Sequence, residues 1–370
     1  MHSAAATLWT LFLLGALAGC ARSYDLDEQG GALGRGVSFL DVEIPDDCDV
    51  RPGLAPRDLA CTGLFSDVES KEISPAVRYF EPAYPLWSDD SGKRRWIHLP
   101  PGEKIDASDP NNWEFPIGTR LFKEFQWNGR RVETRMYHKQ GKRRWVKASY
   151  RWSDDESEAK RFVGGDVDID GETYYIPSAK ECDQCHKGRE DRALGFEGVL
   201  MGLPDAEGLT LAKLREEGLL EGDGMPDDVE IGDDGSGKAA RALGWLHTNC
   251  GVSCHNDNSA SEAYKTDLFL RLDADGIDGR NVDDQDAVTT TVGVETTTER
   301  WLDLGYRIVP GVPEASVLYW LAARRNPATP DDQMPPLGSR VVDRDRLTWL
   351  GQWIRSMPRD PNVPAKPLAF

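Results

Sequence analysis

Two short stretches hold the reactive side chains of this 370-residue chain: Cys182-Asp-Gln-Cys185-His186 and Cys250-Gly-Val-Ser-Cys254-His255. A pair of thiols followed at once by an imidazole suits covalent haem attachment. The thiols add to the vinyl groups, and the histidine falls under the iron as proximal ligand. Zinc, the other chemistry such donors offer, wants more ligands than the first stretch has nearby. The second stretch has three residues between its cysteines instead of two, which widens the loop that must span the two vinyl positions. The alternative there is a haem-less site in which Cys250 and Cys254 form a disulfide.

Iron held low-spin for electron transfer takes a sixth ligand, such as a methionine sulfur. Met334, in the proline-stiffened Gln333-Met-Pro-Pro336, is the candidate for the second site. The first site has no obvious partner; Met201, Met225 and His247 are the residues downstream that could serve. With none of them bound, that iron would stay open to peroxide or another small molecule.

The elements that must position these groups fall into two kinds. Up to residue 176 the chain reads as a β-rich module. Leu121–Trp127 alternates and Asn128-Gly129 supplies a hairpin turn; Arg131–His138, a second turn at Gln140-Gly141 and Arg144–Trp152 complete a meander. A further hairpin is expected at Asp170-Gly171. Trp87, Trp96, Trp113, Trp127, Trp145 and Trp152 fall in this module, where sheet and core packing is expected of them rather than a carbohydrate site. From residue 177 the pattern turns to helices and loops: 209–220, 239–247, 313–322, and a last helix capped by Asp343 and stopped by Pro358. The acidic run from Asp273 lacks the spacing of a calcium loop and reads as a turn. The basic clusters 93–95 and 142–144 read as solvated turns.

The expected fold class is therefore α+β and multidomain: an antiparallel β-rich domain, then two small α-helical units. The boundaries are 1–20 for a signal peptide, 21–47 for a flexible tether and 48–176 for the β-rich domain. The first haem domain takes 177–240, the second 241–358, and a tail covers 359–370.

Composition sets the setting. A net charge of −19 argues against nucleic acid and favours a basic docking partner. Leu8–Ala18 is too short to span a membrane as a helix. It leads into Leu17-Ala-Gly-Cys20, which resembles the bacterial lipobox, whose cysteine is lipidated and begins the mature chain. Ala21 follows, rather than the aspartate that retains lipoproteins at the inner membrane, so an outer-membrane anchor facing the periplasm is expected. Of seven cysteines, Cys20 takes lipid and two pairs serve the haem-type stretches. Cys48 and Cys61 remain, spaced to close a short loop by a disulfide that export would permit.

Tyr84-Pro-Leu-Trp-Ser-Asp-Asp90, Lys93–Pro100, Trp113–Thr119, Val132-Glu-Thr-Arg135 and Ile176-Pro-Ser178 leading into Cys182, with Leu246-His-Thr-Asn-Cys250, resemble a largely uncharacterised family of exported bacterial dihaem c-type cytochromes. The order of attachment site, helices, Met-Pro loop and final helix also resembles a class I cytochrome c domain. The resemblance covers roughly residues 60–357 and implies two haem c groups and one-electron transfer. The acidic charge and the β-rich domain set the expected redox partner, a basic cytochrome or a periplasmic dehydrogenase. Two other functions are expected to compete: a dihaem peroxidase-like oxidoreductase with an open first haem, and a non-catalytic surface module that binds glycan or protein.

Overall fold

The computed structural model describes residues 44–222, 224–279, 281–326 and 329–369. The signal peptide, Cys20 and most of the tether lie outside the described residues. The fold is mixed, a large antiparallel sheet with helices gathered after residue 178.

Thirteen strands occur among the described residues: β1 (Phe65–Asp67), β2 (Glu72–Ile73), β3 (Arg78–Glu81), β4 (Gly92–His98), β5 (Ile105–Asp106), β6 (Arg120–Trp127), β7 (Arg130–Gly141), β8 (Arg144–Trp152), β9 (Ala159–Phe162), β10 (Gly165–Ile169), β11 (Glu172–Ile176), β12 (Glu207–Gly208) and β13 (Leu220–Glu221). The helices are α1 (Ala179–His186), α2 (Gly198–Gly202), α3 (Leu211–Glu216), α4 (Ala239–Leu246), α5 (Asp286–Thr289), α6 (Val317–Ala322) and α7 (Arg344–Ser356). Seven strands make one sheet in the order β12-β3-β4-β6-β7-β8-β9, antiparallel throughout.

The expected meander is β6, β7 and β8, and the expected hairpin is β10–β11 turning on Asp170-Gly171. The second turn of the meander sits at Lys142–Arg143 and not at Gln140-Gly141. Opposite β8, Lys139 pairs Trp145 and Gly141 pairs Arg144, so Gln140 bulges and β7 runs three residues past His138. The 209–220 helix is shorter than expected: Thr210 caps α3, Gly218 in the left-handed region ends it, and Leu220 joins a strand beside β5. Of the 313–322 helix, residues 313–315 form a 3-10 turn and only α6 is α-helical. Asp343 caps α7 as expected, accepting from the Arg346 N–H.

Because side chains alternate along a strand, the sheet buries both faces. Trp96, Phe122, Met136 and Tyr150 pack on one side against Leu59, Leu64 and Phe65. Ile97, Tyr137 and Trp145 face the other way, in a core continuous with Phe196, Leu243, Leu350 and Trp353 of the later segments. Trp96, Trp113, Trp145 and Trp152 are all buried, in keeping with packing. The Cys48–Cys61 disulfide is formed and ties the chain before the first strand.

Candidate functional site

The first stretch is carried on α1. Ser178 and Glu181 form a reciprocal capping box at its start, and Tyr175 donates to Glu181 over 2.5 Å. Lys147 of β8 forms an ion pair with Asp183, between the two cysteines. The helix thus lies against the sheet with Cys182 beside the Tyr137 hydroxyl. The His186 ring stacks on Tyr137 at 4.0 Å between centroids, and its Nδ1 lies 2.6 Å from the Arg192 carbonyl oxygen. Burial pushes this imidazole down to about 3, against the opposing effect of the Arg192 bond, so it is neutral at pH 7. A neutral ring facing a carbonyl carries its proton on Nδ1, and the Nε2 lone pair is left for a metal.

The second stretch grows out of α4, whose end widens into a π-helical turn over His247–Gly251. The Cys250 carbonyl accepts from both Cys254 N (3.2 Å) and His255 N (2.9 Å). His255 repeats the arrangement of His186: its Nδ1 is 3.3 Å from the Leu268 carbonyl oxygen, and burial holds it down at about 4. Asn249, just before Cys250, accepts from the Trp87 N–H at 2.7 Å and donates to the Trp245 carbonyl. Trp87 also donates to the Val341 carbonyl, while Asp89 accepts from the Arg340 and Val341 N–H groups. Residues 84–89 therefore strap the loop after Met334 to the second cysteine pair.

The two stretches touch. Cys185 and Cys254 lie close enough to interact, which raises the Cys185 thiol and lowers that of Cys254. Burial raises Cys182 and pushes Cys250 up to about 12. Gly188 lies so close to Ser253 that an added Cβ would overlap its carbonyl oxygen. Arg189, buried, and Arg271, half-buried, donate to the same Asn111 carbonyl oxygen.

The remaining sequence candidates fall in different places. Met334 is half-buried against Val317, Trp320 and Leu321, and its carbonyl accepts from Arg325, a residue near enough to Cys250 to act on its thiol. Met201 and Met225 lie in the main core. His247 is buried with both ring nitrogens engaged: Nδ1 accepts from Leu272 N at 2.9 Å, and Nε2 faces Glu197 Oε1 at 3.2 Å. That arrangement leaves His247 no lone pair for iron, contrary to its expected candidacy as a ligand. Tyr137, Arg189, Arg271 and Arg325 were not legible as site residues. They sit in a strand or loop, and only the fold brings them to the cysteines.

The donor sets fit covalently bound haem. Four thiols are free of disulfides, and each pair is followed by a neutral imidazole whose Nδ1 is tied down. Beside Cys182 lies a cleft of about 190 Å³ with Tyr137 and Phe162 as walls and Arg135, Lys147 and Arg161 around it. Aromatic walls with a basic rim suit part of a flat macrocycle bearing carboxylates. Among the described residues, no group of three or more His, Cys, Asp or Glu is arranged to hold a bare metal ion. Nor is any helix among them long and apolar enough to cross a membrane. Comparisons with family models, curated proteins and solved structures found no match to this chain.

Proposed function

We propose that this chain is an exported c-type cytochrome carrying two haems and passing single electrons, with its helical segments forming cytochrome c-like units around the two cysteine pairs. The observation that supports it best is the fixed tautomer of both histidines. Each imidazole after a cysteine pair is neutral and turns Nδ1 to a backbone carbonyl, the orientation that presents Nε2 to iron. When bound, haem supplies one-electron chemistry through its iron. The chain's own residues do the rest. Tyr137 fixes the plane of His186, and the capping box fixes the start of the helix that carries both thiols. Arg161, with Arg135 and Lys147 already paired to Glu133 and Asp183, forms the basic rim of the space beside Cys182. Met334 is the proposed sixth ligand of the second site, steadied by Arg325 and by the 84–89 strap.

Contact between the two stretches favours electron exchange within the chain, and the acidic surface favours a basic cytochrome or a dehydrogenase as partner. In this reading Cys20 anchors the protein at the periplasmic side of an outer membrane. The test is the intact mass and optical spectrum of the purified mature protein. Two covalent haems and a low-spin spectrum are expected. Protein from which all haem is lost under denaturing extraction would overturn the proposal, and a five-coordinate first haem would turn it towards the peroxidase-like reading.

A further inference from the structure

The second cysteine pair has one residue more than the first, and the fold gives that residue a place. An α-helix turns about 100° per residue. In the first stretch the histidine comes four residues after the first cysteine, within the continuous α-helix α1. Five residues of unbroken α-helix would swing His255 about 100° further round, away from the face that Cys250 presents. The chain instead opens a π-turn. The His247 carbonyl accepts from Val252 N at 2.7 Å and the Cys250 carbonyl from His255 N at 2.9 Å, both five residues on. A five-residue closure brings His255 back to the Cys250 carbonyl, where a four-residue closure would bring the histidine of the shorter spacing.

This turn is built in. Gly251 abuts the Leu270–Arg271 backbone so closely that an added Cβ would overlap it. The His255 carbonyl accepts from Leu270 N at 2.8 Å. Asn256 donates to the Gly251 carbonyl (2.8 Å) and, more weakly, to that of Val252 (3.4 Å). At the other end His247 is held through both nitrogens. Single-turn widenings of this kind inside helices recur at functional sites.

From this we infer that residues 251–253 contain a one-residue insertion stored as a π-turn, and that the second stretch therefore binds haem through both Cys250 and Cys254, as an ordinary two-residue spacing does. The inference rests on the haem reading above. Each attachment adds S–H across a vinyl C=C bond, sulfur to one carbon and hydrogen to the other, so no oxidant is required.

The first measurement is peptide mapping of the wild-type protein after alkylation. Neither Cys250 nor Cys254 should react, and the peptide that holds them should carry one haem. An alkylated Cys250 or Cys254 on a protein that holds haem at Cys182 and Cys185 overturns the inference while the first site stands. Absence of covalent haem from both peptides removes the haem reading with it. The second measurement deletes Gly251, Val252 or Ser253 one at a time and weighs the product. At least one deletion should keep both haems, because the shorter spacing closes as a plain α-turn. Three variants that each keep the first haem and lose the second overturn the inference, and the retained haem shows that the chain still folds.

Discussion

Lys139→Met should be among the most damaging single changes in the molecule. Lys139 Nζ lies 2.6 Å from Asp191 Oδ2, with the two side chains 1% and 6% exposed. The same carboxylate oxygen accepts from the Phe115 N–H at 2.7 Å. The pair joins β7 to the segment five residues past His186, so its loss should loosen the first cysteine pair as well as the sheet. Breaking a buried pair from one side strands the other charge and costs roughly 3–5 kcal/mol. Against a total stability of about 5–15 kcal/mol for an ordinary domain, that is a large share. Burial already raises the Asp191 pKa, so the stranded carboxyl should take up a proton, and the variant should recover part of its loss as the pH is lowered from 7 towards 5. The double variant Lys139→Met/Asp191→Asn, which removes both charges, should lose less than half as much as the single. Urea unfolding followed by tryptophan fluorescence, with the slope unchanged and the midpoint lowered, reads these differences. A loss below about 1 kcal/mol in the single variant, or a double variant no more stable than the single, would refute the reasoning.

Four further outcomes are expected. Gly188→Ala should force residues 188 and 253 apart and cost about 1–3 kcal/mol by overpacking, read from the same unfolding curves. Replacing Cys48 and Cys61 by alanine should lower stability by roughly 2–5 kcal/mol, read as a drop in melting temperature against the oxidised parent. Acid should act through Glu197: burial pushes its pKa up, but His247, Arg271 and Arg189 together hold it down at about 2. Its folded value lies below the unfolded one, so its contribution is complete above about pH 4.3 and is lost as the pH falls towards 2. His247, also depressed through burial, loses its contribution as the pH falls below about 6.5. Glu197→Gln should therefore flatten the acid limb of a stability–pH profile, and an unchanged limb would count against the assignment. Finally, Asp89→Ala removes the acceptor for two backbone N–H groups and should speed limited proteolysis between residues 334 and 341, with little change elsewhere.

Local signals were readable where one segment decides its own shape. The meander follows from alternation plus Asn128-Gly129, the later hairpin from Asp170-Gly171, and α7 from its Asp343 cap. Features that depend on distant partners were not. No local pattern marks Gln140 as a bulge or Lys139 as an inward-facing cation, because both depend on Asp191 and on the neighbouring strand. Leu246-His-Thr-Asn-Cys250 reads as one motif, yet its members face different ways: His247 towards Glu197, Asn249 towards Trp87, Cys250 towards the site. The extra residue of the second stretch reads as a defect in spacing, and only the π-turn with Gly251 against Leu270–Arg271 gives it a place.

The shared grip of Arg189 and Arg271 on the Asn111 carbonyl has a consequence in time. Chains are made from the N-terminus and tend to fold in that order. The loop holding Asn111 comes early, but its two clasps arrive much later, one just after the first cysteine pair and one beyond the second. The edge strand β12 is likewise supplied from beyond α1. The first cysteine pair therefore emerges onto an unfinished scaffold, before the second stretch that meets it at Ser253 has been made. A chain truncated before residue 271 would lack one of the two clasps on Asn111.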